Sequence, residues 1–181
     1  MKKIGVLVGS LRKQSYSKKL AEYLIGLFPE GYETELIDIG NLPHYNQEYD
    51  EGGAPPESYV KYREKMHAMD AFLIVTPEYN RSVPAALINA LDVGSRPYGD
   101  SVWDGKKAAV VSNSPGSLGG FGANHHLRQS FVFLNVLVMA QPEAYISGSA
   151  DLFDDNGEIQ NEGTGKFLQS IIDAFLDFIE E

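Results

Sequence analysis

Five short apolar runs recur along the chain, and each is followed by a stretch whose apolar residues return every three or four positions. The runs are Ile4–Val8, Thr34–Ile39 (centred on Leu36 and Ile37), Ala71–Val75, Ala108–Ser112 and Val136–Ala140, and they predict strands. The stretches between them predict helices over Ser17–Phe28, Pro56–Met69, Pro84–Val93, Ala123–Leu134 and Lys166–Glu180. In the first helix Leu20, Leu24, Leu27 and Phe28 share a face, and Pro29-Glu30-Gly31 ends it. The second starts at Pro56, with Tyr59, Arg63, Met66 and Met69 stepping along one side. The last carries an inward stripe of Phe167, Leu168, Ile171, Ile172, Phe175, Leu176 and Ile179. Ala71–Val75 is almost purely apolar, as a central strand buried on both faces must be.

Alternating strands and helices make a parallel sheet with helices on both faces. With five strands the smallest common arrangement is the flavodoxin-like doubly wound α/β sheet, order 2-1-3-4-5, here as one domain over residues 1–181. Ligands of such sheets bind beyond the carboxyl ends of the strands where the order reverses, between the first and third strands. That rule selects the segments Gly9–Ser17, Thr76–Val83 and, beside them, Asn113–Gly122.

These segments have unusual composition. Gly9-Ser10-Leu11-Arg12-Lys13-Gln14-Ser15-Tyr16-Ser17 combines glycine, hydroxyls and one Arg immediately before a helix. Unpaired amides at a helix start attract an anion, and Ser and Arg side chains add charge-assisted hydrogen bonds. The stretch lacks the Gly-Lys-Ser/Thr ending of a triphosphate loop and the three spaced glycines of a dinucleotide fold, so it points to a phosphate on a smaller ligand. Taken alone it is equally an ordinary strand-to-helix turn with a capping Ser. Thr76-Pro77-Glu78-Tyr79-Asn80-Arg81-Ser82-Val83-Pro84 holds polar and aromatic groups between two prolines. It reads either as a rigid polar edge for a flat heterocycle or as a stiff turn with an exposed Tyr. Ser114-Pro115-Gly116-Ser117-Leu118-Gly119-Gly120-Phe121-Gly122 carries four glycines. Glycines there let a backbone approach a planar ligand closely, or they make a flexible surface loop. The long polar segment Gly40–Pro56 has the length of a functional or mobile loop.

Composition narrows the classes. The formal net charge of −10 argues against nucleic-acid binding, whereas Arg12, Lys13, Lys18 and Lys19 form a local basic spot. No cysteine means no disulfide, thiolate metal site or cysteine nucleophile. No apolar stretch is long enough to span a membrane, and none after Met1-Lys2-Lys3 suits a signal peptide, so the expected location is the cytoplasm. His125 and His126 are adjacent on a helix and cannot chelate one metal together; core packing or capping is expected of them. Asp151–Glu158 fails the spacing of a calcium loop at Leu152, and a hairpin turn is expected instead.

The three segments, in this order and spanning nearly the whole chain, resemble those of the NADPH-dependent FMN reductases, which include bacterial quinone, azo dye and chromate reductases. The run from Thr76 to Asp92 is similar to the family's isoalloxazine loop and following helix, and is the most specific of the three. The resemblance implies FMN as cofactor and NADPH or NADH as donor. It puts Ser10, Arg12, Ser15, Tyr16 and Ser17 around the phosphate and Pro77, Glu78, Tyr79 and Asn80 along the ring. Ser114, Gly116, Gly119 and Gly120 fall near its far side. It also implies hydride transfer through the flavin to quinones or similar small acceptors (FMN, azo, nitro or metal-oxyanion compounds), with orientation and electrostatics as the protein's tasks. No general acid or base is demanded, and Glu78 reads as a structural contact. A homodimer through the third helix and Gly94–Asp104 is implied, with a tetramer left open.

The sequence departs from the family's pattern in places. Ser17 stands where many members have Asn, and Val93 where a Trp is common. Gly122 and His125 stand where some members carry Arg and Tyr in a tetramer contact. A flavodoxin-type electron carrier is the alternative, against which Arg12 and the Pro77–Asn80 loop weigh. A receiver-type signalling domain needs acidic residues where Gly9-Ser10 and Thr76-Pro77 stand.

Overall fold

The computed structural model describes residues 1–154 and 156–181. Asp155, within the acidic segment expected to turn, lies outside the described residues. Along the chain come β1 (Lys2–Val8), α1 (Tyr16–Ile25), β2 (Tyr32–Ile37), α2 (Glu57–His67), β3 (Ala71–Pro77), α3 (Ala85–Gly94) and β4 (Lys107–Asn113). There follow α4 (Phe121–Phe133), β5 (Leu137–Val138), β6 (Ala144–Ile146) and α5 (Glu162–Glu180). All pairings between these strands are parallel, in the order β2-β1-β3-β4-β5, with β6 also on β4.

Alternation along the strands makes two cores. Leu7, Phe72, Ile74, Ala108 and Val110 pack with Met66, Leu87, Leu127 and Phe131, under α2, α3 and α4. Ile4, Val6, Leu73, Val75, Ala109 and Val111 pack with Leu20, Leu24, Leu168 and Phe175, under α1 and α5. The segment 94–106 is irregular, yet Trp103 within it is fully buried. Its ring lies against Phe72 and Phe131, centroids 5.0 and 6.1 Å apart, and its indole N–H donates to the Leu91 carbonyl at 3.1 Å. Gly94 makes room, since a Cβ there would stand 2.5 Å from the indole nitrogen.

The expected single strand at Val136–Ala140 is instead two short ones. β5 pairs with Lys107 and Ala108, and β6 with Val111 to Asn113. Pro142, which has no N–H, lies between them. A buried polar network closes the gap. The fully buried Asn124 amide donates to the carbonyls of Val110 and Ala144 at 3.3 and 3.4 Å. Its oxygen accepts from Arg128 Nε at 2.8 Å, and Arg128 Nη1 reaches the Met139 carbonyl at 3.0 Å.

Other boundaries shift for local reasons. Gly26 caps α1 short of Phe28. α5 starts at Glu162 because the Asn161 side chain accepts from the Thr164 amide at 3.0 Å. Phe167, expected on the inward stripe, is exposed, one position off the buried face of Leu168, Ile171, Ile172, Phe175 and Ile179. β3 continues beyond Val75 through Thr76 and Pro77, pairing Pro77 with Asn113.

Truncating Trp103 to Ala removes the aromatic that fills the first core and should lower the unfolding free energy by about 3–5 kcal/mol. Urea denaturation followed by circular dichroism measures this; a loss under about 1 kcal/mol would contradict the buried placement.

Candidate active site

The site begins where β1 and β3 end. The Gly9 amide donates to the Val75 carbonyl at 2.9 Å. A Cβ on Gly9 would stand 2.7 Å from Thr76 Oγ1, so only glycine lets the two loops part from so close a point. Ser15 then caps α1, its hydroxyl accepting the Lys18 amide at 3.1 Å. The amides of Tyr16 and Ser17 have no protein acceptor among the described residues. Ser17 is buried and donates its hydroxyl to Asn113 Oδ1 at 2.7 Å, tying the first loop to the end of β4. The exposed Arg12 guanidinium lies 5.4 Å from the centre of the Tyr16 ring and makes no ion pair among the described residues.

The loop after β3 is a tight hairpin. Tyr79 and Ser82 exchange both backbone hydrogen bonds, at 3.0 and 2.9 Å. Asn80 and Arg81 between them have φ of 52° and 63°, the pattern of a type I′ turn. Both prolines flank this turn rather than form it. Glu78 is almost buried, its side chain 10% exposed. One carboxylate oxygen accepts from Arg81 Nη1 and the other from the Ala123 amide, each at 3.1 Å.

In the third loop the Ser114 hydroxyl accepts from the Gly116 amide at 3.1 Å. Gly119 and Gly120 have φ of 57° and 78°. A Cβ on Gly119 would stand 2.6 Å from the Tyr145 carbonyl carbon, and one on Gly120 3.2 Å from the Asn113 carbonyl oxygen. Their close approach is therefore to the protein's own backbone in β6 and β4.

One cavity of about 180 Å³ joins the loops. It is lined by Ser10, Arg12, Ser15, Tyr16, Ser17, Pro77, Glu78, Tyr79 and Ser114, and also by Asn113 and Pro115. Of the other expected contacts, Asn80 and Gly116 are exposed and Gly119 and Gly120 are buried; none of the four lines the cavity. Asn113 lies in an expected loop segment but is not among the expected contacts. Its signal in the sequence is a side-chain amide ending an apolar strand at this edge of the sheet. Chemically the cavity offers a cation and unpaired amides at one end and a rigid backbone edge at the other. Its carboxylate, Glu78, the one among the described lining residues, is already engaged by Arg81 and Ala123. Those donors suit a phosphate monoester.

His125 and His126 are exposed rather than in the core. His126 Nδ1 lies 3.0 Å from Ser82 Oγ, and His125 Nε2 lies 2.8 Å from the Tyr145 hydroxyl. The amphipathic helix rule anticipates neither partner, because both are distant in sequence. At Gly122 a side chain has no room, with a Cβ 2.7 Å from the Arg81 carbonyl oxygen. Two larger hollows, of about 850 and 330 Å³, lie away from these loops along α3 and the segment 95–104. The first ends at Tyr98 and Phe133, which are 91% and 88% exposed. Beside them Asn89 pins the segment 42–45, donating to the Leu42 and Pro43 carbonyls and accepting the Tyr45 amide.

A family profile described as NADPH-dependent FMN reductase matches residues 2–151. The chain belongs to that family. It is 53% identical over 177 residues to a quinone reductase of Pseudomonas putida, covering 98% of this chain and 94% of the relative. It is 43% identical over 179 residues to a 2-hydroxy-1,4-benzoquinone reductase of Burkholderia sp, covering 99% and 97%. Among solved structures it is similar to FerB, a flavoenzyme NAD(P)H:(acceptor) oxidoreductase from Paracoccus denitrificans. The TM-score is 0.92 and the identity 42%, over 99% of this chain and 98% of the other. The chain is thus an FMN-dependent NAD(P)H oxidoreductase, an enzyme rather than an electron carrier.

Beside the site, burial first and then the Glu143 carboxylate accepting its hydroxyl (2.9 Å) push Tyr145 up to about 12. The folded state thus favours the neutral phenol. That contribution is intact below the ordinary value of 10.0 and is lost as pH rises through about 12. Tyr145→Phe should flatten the fall in stability over that interval, as read from urea midpoints measured at successive pH values; an unchanged slope would contradict it.

Proposed function

We propose that this enzyme is a cytoplasmic, homodimeric quinone reductase that holds FMN in the cavity between the loops after β1, β3 and β4. The observation that carries the reading is the unpaired Arg12 beside the open amides of α1, a concentration of positive potential in a chain of net charge −10. Arg12, Ser10, Ser15 and the amides of Tyr16 and Ser17 would hold the phosphate. The backbone of Pro77–Tyr79 would border the ring, kept straight by the pairing of Pro77 with Asn113. Bound there, FMN supplies the hydride exchange between a nicotinamide and the acceptor. Backbone donors fixed before the reaction need no reorganisation when charge develops, which is the protein's electrostatic contribution. Tyr79, half exposed at the cavity, offers a flat wall to a flat acceptor.

The acceptor class is supported by the relatives, which are named as reductases of quinones. A nicotinamide donor and a cysteine-free chain fit the cytoplasm, and among the described residues no helix is long and apolar enough to cross a membrane. For the homodimer, the support is the uncovered aromatic surface at Tyr98 and Phe133, which line the hollow of about 850 Å³.

The purified protein should take up FMN, bleach with NADPH and regain its colour with benzoquinone. Arg12→Ala, which removes a charge-assisted contact, should weaken FMN binding on the order of tenfold or more in a fluorescence-quenching titration. Unchanged affinity would place the phosphate elsewhere. Light scattering should give twice the 19.9 kDa mass of the chain. Tyr98→Asp with Phe133→Asp should return it to the single-chain value, and a mass unmoved by both changes would put the interface on another face.

A further inference from the structure

We infer that Glu78 is a positioning residue, whose carboxylate locks the hairpin bordering the flavin ring onto the first turn of α4. This rests on the reading of the cavity as the FMN site. α4 is preceded by Gly120, which is in the left-handed region and has no side chain to cap the helix. The cap comes instead from Glu78, across 45 residues of chain, through Oε2 to the Ala123 amide. A carboxylate is favoured there by the helix dipole, and the bond is charge-assisted. Its other oxygen holds Arg81, one of the two left-handed residues of the turn. Gly122 leaves the space for this, since a Cβ there would stand 2.9 Å from Glu78 Oε2 and 2.7 Å from the Arg81 carbonyl oxygen. On the far arm of the hairpin, Ser82 meets His126 of the same helix. α4 thus grips both arms of the hairpin. With each oxygen engaged, the Glu78 carboxylate is committed to placing the Pro77–Tyr79 backbone and is not available to shuttle protons.

The test compares wild type with Glu78→Ala, Glu78→Gln and Gly122→Ala. Gly122→Ala disturbs the same contact while leaving the carboxylate itself intact. Readouts are FMN affinity by fluorescence quenching, the visible spectrum of the bound flavin, and kcat and KM with benzoquinone. Glu78→Ala and Gly122→Ala should each weaken FMN binding by about tenfold and shift the visible band. They should raise the benzoquinone KM more than they lower kcat. Glu78→Gln keeps an acceptor for the Ala123 amide and should stay within about threefold of wild type in FMN affinity. If Glu78→Ala does not fold by circular dichroism, Gly122→Ala against Glu78→Gln decides the matter alone.

A wild type that takes up no FMN overturns the reading of the cavity and this inference with it. A wild type that takes up FMN, beside Glu78→Ala and Gly122→Ala variants that bind it equally well with unshifted spectra, overturns this inference alone. So does a Glu78→Gln that keeps FMN affinity but loses kcat by about a hundredfold, because that marks a catalytic group.

Discussion

The close pairing of β1 with β3 is the constraint on which the binding edge depends. Their chains run side by side to Val8 and Val75, and the Gly9 amide still bonds to β3 after β1 has ended. From that point one chain turns to α1 on one face of the sheet and the other to α3 on the opposite face. A crevice must open where they part, and its walls are whatever follows each strand. Glycine at position 9 keeps the base of the crevice narrow. The extension of β3 to Pro77 and the Ser17–Asn113 bond then bring β4 to the same place from the other side.

Three helices begin at this edge, and the chain treats their amino ends differently. α3 follows Pro84, which has no amide hydrogen to offer. α4 has its Ala123 amide filled by Glu78 from within the protein. At α1 the Ser15 hydroxyl takes only the Lys18 amide, leaving those of Tyr16 and Ser17 open beside Arg12. Of the three starts, α1 is the one whose open amides line the cavity beside an exposed Arg. The Glu78 carboxylate in the cavity wall is meanwhile held by Arg81 and the Ala123 amide.

The order of the sheet and the position of the cavity between the three loops were legible because both rest on strong local signals. β1, β3 and β4 are buried on both faces, so their apolar runs are uninterrupted, and the rule for doubly wound sheets then points to three particular loops. Ser10, Arg12 and Ser15 followed from that rule and from ordinary helix capping. What escaped depended on partners far along the chain. Gly119 and Gly120 advertise a close approach without saying to what, and the answer, Tyr145 and Asn113, lies in other strands. The division of the edge strand is not legible because its pieces are only two and three residues long and are joined through the Asn124–Arg128 network, which has no sequence motif. The start of α5 was hidden behind Gly163 and Gly165, which weaken a helical pattern that the Asn161 cap nonetheless begins.

The divided edge strand has a consequence for how copies of this protein can meet. A long outer strand offers a row of unpaired amides and carbonyls that another chain can extend. Here one rim is made of two fragments, Leu137–Val138 and Ala144–Ile146, with a proline between them. The opposite rim, β2, carries Glu33 and Glu35, which are held by Lys3 and Lys65. Neither rim offers a clean ladder to a second sheet. The sheet is thereby kept from becoming a template for continuous stacking of copies.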